Sequence, residues 1–212
     1  MAKDKEIKFT EEEMKEIALL SFDHNQPYVA FLDQLGNEAD MLHAGIKPYC
    51  AAEIYYPEIN KFFTEFEKNT GLRIIIAAHP RANYADRGNP FDGRELIYGE
   101  TISLVKHAQV ILAHMSTAVS FAVLYNKPII FVDSNEYAPI FKLWINARAS
   151  ALGSEIVNIS DECLINQNQI KIEKDKYDCY KMMFIKEPGT PEKFVWDIFC
   201  DYVDRINDNF NL

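Results

Sequence analysis

The sequence has few glycines, and none of them forms a known phosphate-binding pattern. Eight glycines occur in 212 residues. None makes a G-x-G-x-x-G pattern after a predicted strand, and no G-x-x-x-x-G-K-[ST] pattern is present. We therefore expect neither a glycine-rich dinucleotide-binding turn nor a P-loop. The G-x-S-x-G turn that carries a hydrolase nucleophile is also missing.

Cysteine and histidine lack the spacing that binds metal ions. The four cysteines form no C-x-x-C pair, and the five histidines form no H-E-x-x-H pattern. A zinc ribbon and a thioredoxin-type redox site are therefore not predicted. No apolar run approaches the ~18 residues that suggest a membrane span, and no secretory leader is visible. We expect a cytoplasmic protein with reduced thiols.

Basic residues are outnumbered by acidic ones. The chain carries 22 Lys and Arg against 32 Asp and Glu, for a net charge of −10. This balance argues against a general nucleic-acid binder, which usually has a basic face. The charge is uneven, at −7 for residues 1–70, +1 for 71–160 and −4 for 161–212. Five of the six arginines lie in the middle segment, which is compatible with chance or with a bound anion there.

Apolar runs alternate with segments of helical periodicity. Runs at 28–33, 73–78, 109–113 and 128–133 predict buried strands, and shorter strands are predicted at 96–98 and 155–159. Helical spacing is found at 54–69, 101–107, 118–125 and 137–149. This alternation predicts an α/β fold, Rossmann-like, with three α/β/α layers and a mostly parallel sheet.

The chain divides into three predicted parts. Residues 1–26 form a lead-in helix with a capping box at Thr10 and Glu13. Residues 27–190 form one Rossmann-like domain, in which no element is predicted for the polar segment 161–190. Residues 191–212 form an amphipathic helix that starts at Pro191 and packs on this domain or on a missing partner domain. The Phe and Tyr stripe of 55–66 and the pair Met182–Met183 are assigned to the core.

Polar residues follow two of the predicted strands. In open α/β sheets, ligands bind beyond the carboxyl ends of the strands. His79-Pro80-Arg81 follows one strand, and Ser116-Thr117 begins the helix after another. A helix N-terminus has unpaired N–H groups and a partial positive charge, so this pattern predicts a phosphate site. The alternatives are that the serine and threonine only cap the helix and that His-Pro only reverses the chain.

Two further loops are candidates for contacts with a ligand. Gly99 and Glu100 precede a helix, and they either cap it or contact the base or ribose of a nucleotide. Asp33 and Gln34 follow the first strand, where they either face the ligand cleft or form an ordinary turn.

The segment 74–133 resembles the donor-binding, C-terminal domain of GT-B glycosyltransferases of bacterial surface and capsular polysaccharide biosynthesis. His79-Pro80 matches the HP motif of the group that includes Kdo transferases, sialyltransferases and polysialyltransferases, and Ser116-Thr117 matches its Ser/Thr motif. The resemblance implies one half of a GT-B fold that binds a CMP-activated sugar. It implies that His79 stabilises the leaving phosphate and that no metal or cofactor is required.

The resemblance also implies partners and a location. The partners are a nucleotide sugar, a glycan acceptor and an acceptor-binding N-terminal domain or subunit, without nucleic acid. The protein is expected in the cytoplasm, in solution or peripheral at the inner face of the membrane. The group's catalytic base is expected in an acidic pair before glycine, but the only Asp-Gly here, Asp92-Gly93, follows Phe91. The base is therefore not found in this chain.

Three alternatives remain open at this stage. The chain is either a glycosyltransferase donor domain or a non-catalytic module of the same fold that binds a nucleotide sugar or a partner. The strand sequence Lys127-Pro-Ile-Ile-Phe131 also resembles polyglycerol-phosphate polymerases and sugar-nucleotide 2-epimerases. The third alternative is an unrelated flavodoxin-like or receiver-like regulator, although Asp33 lacks the acidic neighbour that a receiver domain needs.

Overall fold

A six-stranded parallel sheet forms the centre of the molecule. A computed structural model describes residues 26–34, 45, 48–82, 84–163, 165 and 170–210. All strand pairs in the sheet are parallel, in the order β3-β2-β1-β4-β5-β6. The strands are β1 (Tyr28–Leu32), β2 (Arg73–Ala77), β3 (Leu96–Ile97), β4 (Val110–Ala113), β5 (Ile129–Asp133) and β6 (Glu155–Asn158).

This strand order decides between the predicted fold alternatives. The order 3-2-1-4-5-6 is that of doubly wound, Rossmann-like sheets, whereas flavodoxin-like and receiver-like sheets have the order 2-1-3-4-5. The predicted Rossmann-like α/β class is therefore confirmed, whereas the five-strand order of the flavodoxin-like or receiver-like alternative does not include the edge strand β3. In the observed order the direction of winding reverses between β1 and β4, so this pair marks the ligand crevice of such a sheet.

Helices connect the strands and cover the sheet. The described helices are α1 (Ala52–Thr70), α2 (Tyr84–Arg87), α3 (Thr101–His107), α4 (Val119–Leu124), α5 (Pro139–Leu152), α6 (Lys174–Tyr180) and α7 (Val195–Phe210). A short π-helical segment, Lys181–Ile185, continues α6. Helix α1 ends at Gly71, whose φ of 71° is in the left-handed region that glycine adopts without strain.

The core is built from the apolar runs that the sequence pattern singles out. Strands β1, β4 and β5 are buried along their whole length, as central strands of a covered parallel sheet are. The aromatic stripe of α1 packs against them, with the Phe63 ring 5.0 Å from the Phe31 ring in an edge-to-face contact. Strand β6 is an edge strand, and its residues are half-buried or exposed.

Several predicted elements differ from those observed. The segment 161–190 contains α6 and the π-helical segment, although its polar composition predicts no element. Helix α7 begins at Val195 rather than Pro191. The core assignment of Met182 and Met183 is wrong, because their side chains are 50% and 68% exposed. Apart from residue 26, the predicted lead-in helix lies outside the described residues.

Helix α7 is amphipathic but does not bury its apolar face. Its periodic apolar residues include Phe199 and Tyr202, which are 54% and 62% exposed. The predicted packing of this helix on its own domain is therefore not observed among the described residues. No helix in the described part of the chain is both long and apolar enough to cross a membrane.

Candidate functional site

Three strands end level with one another at the candidate site. Leu32, the last residue of β1, pairs with Ala77 of β2 and with Ala113 of β4. His79 lies two residues beyond β2, and Ser116 lies three residues beyond β4. Because β1 separates these two strands, their ends are about 10 Å apart, or two inter-strand spacings. The fold thus brings both predicted motifs to one edge of the sheet, on either side of β1.

A buried carboxylate anchors the His79 turn. Asp33 is only 6% exposed, and its Oδ2 accepts the peptide N–H of His79 at 3.0 Å and the hydroxyl of Tyr84 at 2.9 Å. Burial and the nearby Asp33 charge raise the pKa of Tyr84, so this hydroxyl keeps its proton and donates. Asp33 therefore holds the start of the turn in place, which neither sequence alternative for this residue had predicted.

The His79 ring has a defined tautomer when it is neutral. Its Nδ1 accepts the peptide N–H of Arg81 at 3.2 Å. A neutral imidazole carries one proton, which this contact assigns to Nε2. The His79 side chain is half-buried and those of Pro80 and Arg81 are exposed. When His79 is neutral, its ring N–H is therefore on Nε2, and a guanidinium lies two residues further along the chain.

The turn after β4 is held from two sides. Gln34 Oε1 accepts the peptide N–H of Met115 at 2.6 Å. From α5, Arg148 Nη1 donates to the carbonyl oxygens of Met115 at 3.0 Å and of Ser116 at 2.8 Å. Gln34 and Asp33 are adjacent, so the loop after β1 contacts both the β2 turn and the β4 turn. The sequence analysis placed Gln34 either at the ligand cleft or in an ordinary turn, without predicting this contact, and counted Arg148 only among the clustered arginines.

The predicted source of positive charge at Ser116 is only partly correct. Helix α4 has six residues and begins at Val119, so its dipole is much weaker than that of a long helix. Its N-cap is Ala118 rather than Ser116 or Thr117, and no side chain caps it. Ser116 Oγ accepts the N–H of Ala118 at 3.2 Å within the turn. The formal positive charge at this turn is the guanidinium of Arg148.

Gly99 and Glu100 lie beyond β3, at the outer end of the same sheet edge. Gly99 has a φ of 77°, a left-handed conformation that favours glycine. Glu100 precedes α3 and accepts the N–H of Leu104 through its backbone carbonyl at 2.9 Å, with no capping bond from its side chain. The contact of Gly99 and Glu100 with a base or ribose remains a prediction.

A buried histidine joins the ends of β4 and β5. His114 is fully buried, and its Nδ1 lies 2.9 Å from the carbonyl oxygen of Val132. A carbonyl only accepts, so Nδ1 carries the proton and Nε2 accepts the Tyr55 hydroxyl at 3.0 Å. Burial lowers the pKa of His114 to about 4. The ring is therefore neutral near pH 7 and acts as a structural link.

The turn after β5 is a closed polar network. Ser134 Oγ donates to Glu58 Oε2 at 2.8 Å and accepts the N–H of Glu136 at 3.1 Å. Ser160 Oγ accepts the N–H of Asn135 at 3.0 Å. Lys142 Nζ donates to the carbonyl oxygen of Ser134 at 2.8 Å. These contacts pair the polar groups of the turn with side chains of α1, of α5 and of the loop after β6.

A separate cleft of about 620 Å³ lies between α1 and the loop before β3. Asp92, half of the lone Asp-Gly pair, lines it with a φ of 50°. None of the predicted site residues lines this cleft, so Asp92 is not part of the candidate site. The lining residues are Tyr56, Pro57, Asn60, Lys61, Thr64, Glu65, Pro90 and Asp92.

Comparisons with known proteins identify solved structures but no family. No family model and no curated protein matches this chain. A structure titled as the glycotransferase of kitacinnamycin is 11% identical, with a TM-score of 0.36, over 80% of this chain and 36% of that chain. The E. coli ADP-heptose LPS heptosyltransferase II is 10% identical, with a TM-score of 0.40, over 82% of this chain and 52% of that chain. The chain thus spans about a third and about half of these two glycosyltransferases.

Proposed function

We propose that this chain is the nucleotide-sugar donor-binding half of a GT-B glycosyltransferase that builds a bacterial surface polysaccharide from a CMP-activated sugar. The observation that carries the proposal is the level ending of β2, β1 and β4, with His79 and Ser116-Thr117 on either side of the β1/β4 crevice. The resemblance of these two motifs to the HP and Ser/Thr motifs of the Kdo transferase and sialyltransferase group supplies the donor class.

The proposed chemistry is transfer of the sugar from the phosphate to an acceptor hydroxyl. The bond between the anomeric carbon and the phosphate oxygen breaks, a bond from that carbon to the acceptor oxygen forms, and CMP leaves. Negative charge grows on the phosphate as the bond breaks. The Nε2–H of His79 and the hydroxyls of Ser116 and Thr117 stabilise that charge, an effect that is large in many enzymes. These protein donors take the place of a metal ion.

The acceptor and the base are assigned to another part of the enzyme. The proton of the acceptor hydroxyl goes to a base that we assign to the partner, because Asp92-Gly93 follows Phe91 rather than an acidic residue and Asp92 lines a separate cleft. A partner domain or subunit provides the glycan acceptor site and this base. Pro80, Arg81, Gly99 and Glu100 line the outer part of the donor site, where they contact the sugar, ribose or base.

Two related functions use the same site. A non-catalytic module of this fold would bind the nucleotide sugar or a partner without transfer. A polyglycerol-phosphate polymerase or a sugar-nucleotide epimerase would bind a different nucleotide at the same strand ends. Both are separated from the main proposal by the identity of the nucleotide that binds and by transfer activity.

The experiment is a calorimetric titration of the chain with CMP, CDP, UDP and GDP, without added metal. We expect selective CMP binding, weakened about tenfold by His79→Ala, since a hydrogen bond to a charged group contributes about 1.5–3 kcal/mol. His107→Ala is the matched control, because His107 is exposed at the end of α3. Tighter binding of CDP or UDP would favour the polymerase or epimerase alternative.

Two outcomes would contradict the proposal. If the unmodified chain binds none of the four nucleotides, it is not a donor-binding domain. If it binds CMP and His79→Ala binds equally well, His79 does not hold the phosphate.

A further inference from the structure

We infer that Arg148 is a positioning residue, which orients the peptide N–H groups of Ser116 and Thr117 to hold the phosphate of the bound nucleotide. This inference rests on the proposed function. It concerns a side chain that none of the sequence motifs includes, on helix α5, which follows the next strand of the chain, β5.

The contacts of Arg148 fix two consecutive peptide groups. Its Nη1 atom donates to the carbonyl oxygens of Met115 at 3.0 Å and Ser116 at 2.8 Å. No peptide bond in the described chain is cis. In a trans peptide the carbonyl and the following N–H point in opposite directions across one plane. The N–H groups of Ser116 and Thr117 therefore point away from Arg148.

Among the residues that the structure describes, neither of these two N–H groups has a hydrogen-bond acceptor. The N–H of Met115 is bonded to Gln34, and that of Ala118 to Ser116 Oγ. Between them, no acceptor within the described ranges takes the N–H of Ser116 or of Thr117. Ser116 is half-buried and Thr117 is exposed, so a ligand can reach both groups. Two adjacent N–H donors in a turn suit an anionic oxygen.

The charge of Arg148 adds to the effect. Across the residues that the structure describes, its guanidinium forms no ion pair with a carboxylate, so its positive charge is not cancelled locally. A cation bonded to both carbonyls also polarises the two peptide groups, which makes their N–H groups better donors. The same side chain thus sets the direction and the strength of the donors.

Lys142 provides a matched control on the same helix. It donates to the carbonyl oxygen of Ser134 at 2.8 Å, after β5, just as Arg148 does after β4. Lys142 also lies 3.6 Å from Asp133, and the N–H groups of its turn are bonded internally. Loss of Lys142 removes a similar cation–carbonyl contact without affecting the proposed phosphate donors.

The test measures CMP and cytidine affinities and the amide NMR spectrum of the intact chain and of Arg148→Gln, Arg148→Lys and Lys142→Gln. The ratio of CMP to cytidine affinity isolates the contribution of the phosphate. We expect this ratio to fall about tenfold in Arg148→Gln, to recover partly in Arg148→Lys and to stay unchanged in Lys142→Gln. In the intact chain, CMP and inorganic phosphate should shift the amide resonances of Ser116 and Thr117.

The outcomes separate this inference from the proposed function. If the intact chain binds CMP but Arg148→Gln keeps the same CMP to cytidine ratio, the role of Arg148 is wrong and the donor site stands. An equal fall in Lys142→Gln would also overturn it, because the effect would then be general destabilisation. If neither a nucleotide nor phosphate binds the intact chain, the proposed function and this inference both fail. If Arg148→Gln does not fold, the CMP to cytidine ratio of Arg148→Lys and the amide shifts of the intact chain still test the role of Arg148.

Discussion

The turns after β4 and β5 each have a carbonyl bonded to a cationic side chain, but they differ in the hydrogen bonding of their backbone N–H groups. A cationic side chain of α5 bonds a backbone carbonyl in each, Arg148 after β4 and Lys142 after β5. In the β5 turn the N–H groups of Ser134, Asn135 and Glu136 are all bonded to side chains of the network. In the β4 turn two successive N–H groups have no acceptor among the described residues.

This difference is the basis on which the β4 turn, and not the β5 turn, is proposed to bind a ligand. An unpaired buried N–H costs stability, so a turn with a purely structural role pairs its donors, as the β5 turn does. The β4 turn lies at the crevice where the order of the sheet reverses, and its unpaired donors are accessible. Its incomplete hydrogen bonding is therefore the feature to test.

Acidification should lower the free energy of unfolding through His114, which links the ends of β4 and β5 before the two turns. The pKa of His114 is about 4 in the folded protein, against an ordinary value of 6.5. Between these values the unfolded chain binds more protons, so the free energy of unfolding falls as pH falls. The loss is about 1.4 kcal/mol per pH unit, or about 2 kcal/mol between pH 6.5 and 5. Urea unfolding across this range measures it.

His114→Gln is the reference for the His114 prediction. Glutamine does not titrate, so the variant should be less stable at pH 7 but should lose about 2 kcal/mol less between pH 6.5 and 5. The other histidines contribute equally to both proteins and cancel in the difference. Parallel pH dependences for the two proteins would show that His114 is not held neutral by burial.

Two serine variants test the comparison directly. Ser134→Ala removes a donor to Glu58 and an acceptor for Glu136 N–H in a buried network, and should cost about 1.5 kcal/mol of stability. Ser116→Ala removes one internal bond of 3.2 Å in a half-buried turn and should cost about 0.5 kcal/mol. The ranking of the two variants should be the opposite for CMP affinity, which should fall about fivefold in Ser116→Ala and stay unchanged in Ser134→Ala. Equal CMP losses in both variants would contradict the distinction between the turns.

The sheet was predictable from sequence because its signal is local. Continuous apolar runs such as Ile74–Ile76 and Ile129–Val132 have few alternatives to a buried parallel strand, and the strands observed there agree. The site residues at the ends of these strands follow from the same reasoning, since parallel strands carry their carboxyl ends to one edge. These parts required no knowledge of the strand order.

The contacts that complete the site were not predictable in this way. Arg148 and Met115 are 33 residues apart, and no spacing rule relates them. The buried position of Asp33 depends on Tyr84, 51 residues away. The apolar character of Met182 and Met183 suggested burial, but the face that they occupy lies outside the core. Contacts between residues far apart in the sequence are set by the tertiary fold, and the periodicity of apolar residues does not predict them.

Gln34→Glu gives the smallest and most specific change to the β4 turn. The two side chains have nearly the same shape, so the carboxylate can still accept the N–H of Met115, and stability should change by less than about 0.5 kcal/mol. The added negative charge should lower CMP affinity about threefold at low salt, and the effect should shrink as salt screens it. Gln109→Glu adds the same charge on an exposed residue before β4, at the opposite edge of the sheet, and should leave CMP affinity unchanged. Calorimetric titrations at two salt concentrations distinguish the cases, because an equal effect of both substitutions would reflect net charge rather than a phosphate beside the β4 turn.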